Sequence, residues 1–216
     1  MLQEIEKRPA LRERWIELER NALQKGNWGF TAINQIDESN EQVSVRVVHS
    51  WSLAGNRPQD YVYGKDDKVC YEGRKTSYLK ALETARGATN DFGTLMLSID
   101  AENYRKKRLR FSAAVKSEGI QGWAGLWMRV DGIQKGPTLS FDNMEDRPIQ
   151  GTTDWQNYAI VLDVPEESMN ISFGILLTGK GQLWFNAPHL EEVGDDVPAH
   201  NMPIINPNWK EESTDK

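Results

Sequence analysis

The stretch from Phe141 to Trp155, FDNMEDRPIQGTTDW, gathers Asp142, Glu145, Asp146 and Asp154 with Asn143, Arg147 and a Thr pair. Paired carboxylates could serve a glycosidase, one protonating the leaving oxygen while the other acts as base or nucleophile. That chemistry needs one acid whose pKa is raised. Arg147 in the same loop works the other way, because a nearby cation stabilises the carboxylate anion. Asp142 and Asp154 flank a long turn marked by Pro148 and Gly151, and TTDW suits side-chain-to-backbone bonding ahead of a strand. The segment DNMED also lacks the Asp-x-Asp-x-Asp-Gly pattern of a dedicated Ca²⁺ loop. A hydrolase built on Asp142, Asp146 and Asp154 is the least favoured reading, and no metal is expected.

Other chemistries find little support. One cysteine, Cys70, excludes an intrachain disulfide, a thiolate zinc cage and a CxxC redox pair. His49, His189 and His200 sit in no catalytic motif, so no nucleophile has a partner and no cofactor is expected. The net charge of −6 and pI near 5.2 offer no basic face for direct nucleic-acid contact. The dense basic run YRKKRLR, Tyr104 to Arg110, reads as a solvated strand edge. The opening MLQEIEKRPALRERW has no apolar h-region, no apolar run reaches membrane length, and a cytoplasmic protein is the expectation. Asn170 heads an NIS triplet, which carries no weight without secretion.

Ligand binding is the stronger functional candidate. If residues 123–131 and 138–142 pair as a hairpin, alternation places Trp123, Trp127 and Arg129 on one outward face with Ser140 and Asp142. Leu139 and Phe141 then face the core. Trp184 alternates with Leu183 and Phe185 and also points outward. Outward Trp rings are stacking platforms, and Arg, Asp and Asn beside them bond hydroxyl groups. The expected ligand set is Trp123, Trp127, Arg129, Asp142, Asn143, Arg147 and Trp184, with Asp142 and Arg147 the loop members nearest a small-molecule or carbohydrate ligand. The competing reading is that a helix or the tail covers this face, so that the Trp residues are packing. Arg129 and Asp142 form a cross-strand ion pair under either.

These residues need a β scaffold. Eight Trp, six Phe and six Tyr supply apolar area for a core despite a mean hydropathy of −0.64. Leu11, Trp15, Leu18 and Ala22 recur at helical spacing and end at KGN, which predicts a helix over residues 1–25 able to meet a protein partner or a second copy. From there the period falls to two. Val43, Val45 and Val47 lie in a β-rich connecting segment, 26–50. Leu95, Leu97 and Ile99 follow, then Leu109 to Val115, Ala124 to Val130, Ile160 to Val164, NISFGILL and QLWFN. The turn signals SEGIQG, DGIQKGP, VPEES and TGKG separate them. The reading is all-β: an antiparallel jelly-roll β-sandwich over 51–194 with an N-terminal helix. An acidic, irregular tail, 195–216, follows, which Met202, Ile204, Ile205 and Trp209 could dock.

The segments WSLAGNRPQDYVYGKD, YRKKRLRFSAAVKSEGIQGWAGLWMRVDG and LSFDNMEDRPIQGTTDWQNYAIVLDVPEESMNISFGILLTGKGQLWF carry a resemblance. They are similar to the galactose-binding-like, carbohydrate-binding-module-like β-sandwich appended to some bacterial AraC-type transcriptional regulators and placed beside tail-specific protease domains. The resemblance covers about two thirds of the chain and implies the fold. It transfers no activity, because the module is an accessory in hosts of unrelated function. Sandwiches of this kind often carry an Asp after the aromatic of the last strand, where it helps hold Ca²⁺. Asn186-Ala187-Pro188 stands there instead, which lowers the expectation of that ion. No helix-turn-helix or protease signature is visible. The expectation is a non-enzymatic ligand-sensing or protein-interaction module, regulatory in role, with dimerisation through the N-terminal helix. The alternative is a carbohydrate-binding protein using the Trp123, Trp127 and Trp184 face.

Overall fold

Among the described residues nine strands, every pairing antiparallel, form one continuous sheet that curls into two layers. They belong to a computed structural model that describes residues 51–85, 91–132 and 138–200. The expected helix over 1–25, the connecting segment 26–50 and the tail beyond residue 200 lie outside the described residues. The strands are β1 (Ser52–Gly55), β2 (Tyr61–Tyr71), β3 (Arg74–Ala81), β4 (Phe92–Asp100), β5 (Lys107–Asp131), β6 (Thr138–Asp142), β7 (Ile149–Val164), β8 (Asn170–Thr178) and β9 (Gln182–Val193).

β5 makes the sandwich. The sequence reading splits it into two strands at SEGIQG, but it runs unbroken for 25 residues. Gly119 takes φ +60, and the pairing with β7 slips three times between Val115 and Ala124, so the strand bends without ending. Up to Glu118 it pairs with β9, and from Ala124 it pairs with β8. The first layer is therefore β1-β4-β8-β5-β6, and the second is β2-β3-β9-β5-β7, with β5 shared.

Alternation fills the space between the layers. Leu109, Phe111, Ala113 and Val115 of the second layer meet Leu126, Met128, Phe173 and Ile175 of the first, all buried. The rings of Phe111 and Phe173 lie 4.9 Å apart and join the two sheets. Trp51 closes against Phe185 at 5.5 Å, edge to face.

Tyr61 adds a pH-dependent element. Its hydroxyl lies 3.0 Å from the Asp91 carbonyl and 3.3 Å from that of Gly179. Burial, helped by the fields of Asp91 and Asp60, pushes its pKa up from 10.0 to about 12. A raised pKa means that folding favours the neutral phenol. This contribution is complete below pH 10 and is lost as pH climbs through 12. Urea unfolding of wild type from pH 9 to pH 11.5 should show stability falling more steeply than in Tyr61→Phe, which has no proton to lose at that site. Equal slopes would refute the coupling.

The β5–β6 hairpin forms and Leu139 packs against the core as expected, but the register reverses the expected facing of Ser140, Phe141 and Asp142. Arg129 lies opposite Phe141, and Met128 lies opposite Asp142. Cross-strand partners share a face, so Phe141 points outward with Arg129, and Asp142 points into the core with Met128. Ser140 is also buried and donates to the Asp163 carbonyl at 2.8 Å. Polar side chains can occupy inward positions when each is hydrogen-bonded, and these are.

Candidate functional site: a groove on the outer face of the first layer

The two outer faces differ in what covers them. On the second layer the tip of the β2–β3 hairpin folds over the sheet. Tyr71 meets Trp155 with ring centres 4.9 Å apart, and the Trp184 indole N–H donates to Asp66 at 2.8 Å. That bond, with the Lys68 and Val69 amides, holds the Asp66 pKa below the usual carboxylate value. Further along, Arg108 pairs with Asp163 and donates to the carbonyls of Asp195 and Val197. His200 exchanges backbone and ring hydrogen bonds with Val161, at 2.7 and 3.0 Å. The start of the tail is thus docked on β7. Trp184 is 5% exposed and lies on the layer opposite Trp123 and Trp127, so the expected single Trp face is divided.

Among the described residues nothing folds over the first layer. Trp123, Trp127 and Arg129 of β5, Phe141 of β6, Leu176 and Thr178 of β8, Thr94 and Met96 of β4 and Ala54 of β1 line one groove of about 590 Å³. It crosses all five strands, a span of about 19 Å at ~4.8 Å between neighbours. Phe92 and Gly55 stand at one side, and Asn143 and Glu145 at the other.

Trp127 forms part of the floor. Its indole N–H donates to the Thr94 hydroxyl at 2.7 Å, and that hydroxyl donates to the Ile175 carbonyl at 2.9 Å. Thr94 is on β4 and Trp127 on β5, so the ring reaches across β8, where Gly174 lies directly opposite Trp127. A Cβ at Gly174 would meet the Leu95 carbonyl oxygen at 2.1 Å, so no other residue fits this crossing. With its one polar atom satisfied internally, the ring offers a ligand only its apolar surface. At the rim, Thr178 exchanges hydrogen bonds with both backbone groups of Trp123, which fixes the second indole's strand.

The β6–β7 loop sits beside the groove but is organised from beneath. Asp142, 0% exposed, accepts from the Met144 amide at 2.9 Å and from both terminal nitrogens of Arg147. Arg147 also reaches Asp146 at 2.7 Å. Burial opposes the Arg147 charge, but the bonds and fields of the two aspartates outweigh it and raise its pKa. Asp142 and Arg147 are spent on each other and line no part of the groove, while their loop neighbours Asn143 and Glu145 do. The expected Arg129–Asp142 pair does not form, and Arg129 binds Asp131 at 2.9 Å instead.

The acids do not assemble as a catalytic pair. Asp154 binds Lys116 at 2.8 Å, and that bond and the Trp155 amide lower its pKa, the opposite of what a general acid needs. TTDW lies within β7, where Thr152 accepts from the Gly119 amide and Thr153 meets Ser117 at 2.9 Å. Among the described residues no three His, Cys, Asp or Glu side chains gather as a metal centre.

Of the expected ligand set, the groove brings together Trp123, Trp127, Arg129 and Asn143. It adds Phe92, Thr94, Met96, Phe141, Glu145, Leu176 and Thr178, which sequence reasoning leaves out. The signal for Thr94 and Met96 is present, since they alternate with the core residues Leu95 and Leu97.

No family model matches the chain. A solved structure of the CBM22-1 xylan-binding domain from Paenibacillus barcinonensis Xyn10C aligns at TM-score 0.45 and 15% identity, over 66% of this chain and 85% of that one. A family 30 carbohydrate-binding module aligns at TM-score 0.42 and 17% identity, over 60% of this chain and 83% of its own. Among curated proteins, the uncharacterized HTH-type transcriptional regulator YbfP of Bacillus subtilis (strain 168) is 43% identical over 162 residues. The chain is thus similar over 75% of its length to part of a bacterial HTH-type transcriptional regulator, and it spans 54% of that relative.

Proposed function

We propose that the sandwich is a regulator-associated, non-enzymatic ligand-binding module whose site is the groove across the first layer. The observation that carries this is the contrast between faces. The second layer is closed over Trp184 by its own hairpin, whereas among the described residues the first keeps an aromatic-lined groove of about 590 Å³ open. The regulatory role is supported by the 43% identity to the HTH-type regulator. In this reading residues 1–25 form a helix ahead of a jelly-roll sandwich and serve pairing with a second copy, and the protein acts in the cytoplasm.

A second reading, that the ligand is a carbohydrate, has its own support. The rings of Trp123, Trp127 and Phe141 line the groove, and Asn143, Arg129 and Glu145 offer donors and acceptors suited to hydroxyls. A glycan and metabolite screen on the full chain, read by Trp fluorescence, tests the site. Hits should weaken about tenfold or more in Trp123→Ala, as expected when a stacking residue is removed. Hits indifferent to Trp123, or no hit across the screen, would sink the groove as the site.

A further inference from the structure

The groove carries a charge that no ion pair among the described residues neutralises. Its charged lining residues are Arg129 and Glu145. Arg129 is occupied by Asp131 at 2.9 Å. Arg147, two residues from Glu145, is held by Asp142 and Asp146. No salt bridge among the described residues involves Glu145, whose backbone amide is tied back to Asn143 at 3.1 Å. The clasped loop therefore presents an unpaired carboxylate at the rim of a groove walled by Trp and Phe rings.

Both features act in one direction. An unpaired carboxylate attracts a cation and repels an anion, and the negative faces of aromatic rings do the same. The chain's net charge of −6 adds to the bias. Resting on the groove as the ligand site, we propose that Glu145 is its specificity-determining residue and that the ligand class is a polyhydroxylated molecule bearing a protonated amine. Trp123 and Trp127 take the apolar faces of such a ligand, Asn143 its hydroxyls, and Glu145 its ammonium group.

The test uses tetrasaccharides that share a backbone length and differ in charge, titrated calorimetrically into the full chain below neutral pH. The glucosamine tetramer should bind about five- to tenfold more tightly than its N-acetylated counterpart, the sum of one exposed ion pair and a cation–π contact. Tetragalacturonate should bind weakest. Glu145→Gln should remove the ion-pair share and bring the amine preference down to about two- to threefold, and 0.5 M NaCl should narrow it in wild type. Equal or tighter binding of the N-acetylated or acidic tetramer, or an amine preference undiminished by Glu145→Gln, overturns the proposal with the groove still standing as the site. If Trp123→Ala leaves the bound tetramers unaffected, the groove reading itself fails.

Discussion

Replacing Arg147 by Ala should cost about 3 kcal/mol of folding stability, because it strands the Asp142 carboxylate in the core without its partner. For a chain of this size that is a fall in Tm of roughly 6–12 °C. Asp142→Asn should cost less, about 1–2 kcal/mol, since the amide keeps the Met144 bond and Arg147 retains Asp146. Arg147→Lys should fall between them, because an ammonium supplies charge but not the two-pronged fork. Urea denaturation of the three variants measures the order. Asp142→Asn proving the most damaging would mean that the pair's charge, not its satisfaction, matters most. The three variants should also loosen the loop that carries Asn143 and Glu145 to the groove.

The second large effect is at Trp127. Trp127→Ala removes a ring that is 8% exposed and breaks the bond to Thr94. Stability should drop by about 2–3 kcal/mol, below the range for a fully enclosed Trp because one face already borders the groove. Ligand affinity should fall about 30-fold, the loss expected of a central aromatic anchor. Trp127→Phe separates the two contributions: it keeps a ring on the floor but frees the Thr94 hydroxyl, which still reaches the Ile175 carbonyl. It should cost about 1 kcal/mol in stability and only a few-fold in affinity. Calorimetric titration with any ligand from the screen, beside thermal unfolding, distinguishes these outcomes.

How far the site could be read from the sequence depends on which rule applied. Period-two alternation assigned the facing of Leu95, Phe111, Leu126 and Val130 and put Trp123, Trp127 and Arg129 outward, because those strands are apolar on one face only. On β6 the same rule misled. It took Phe141 for core and Asp142 for surface, yet the protein buries Asp142 because Arg147, five residues on, folds back to satisfy it. Such a compensation is invisible to a polarity pattern. Trp184 shows a different limit: alternation tells in from out but not which sheet a strand joins, and β9 joins the second layer. The SEGIQG segment reads as a turn because glycine punctuates it, whereas here the glycine lets a single strand serve both layers. The helix over 1–25, the β-rich segment 26–50 and the tail beyond residue 200 fall outside the described residues.

The claim at the centre is that ligand enters the first layer's groove and leaves the second layer's Trp face untouched. Indole N–H resonances, assigned by Trp→Phe replacement and followed during titration with a tetrasaccharide, read both faces at once. Trp123 and Trp127 should shift on binding while Trp184, held by Asp66, and Trp155, packed on Tyr71, stay in place. Shifts at Trp184 or Trp155 with Trp123 and Trp127 unmoved would place the ligand on the other layer and contradict that claim.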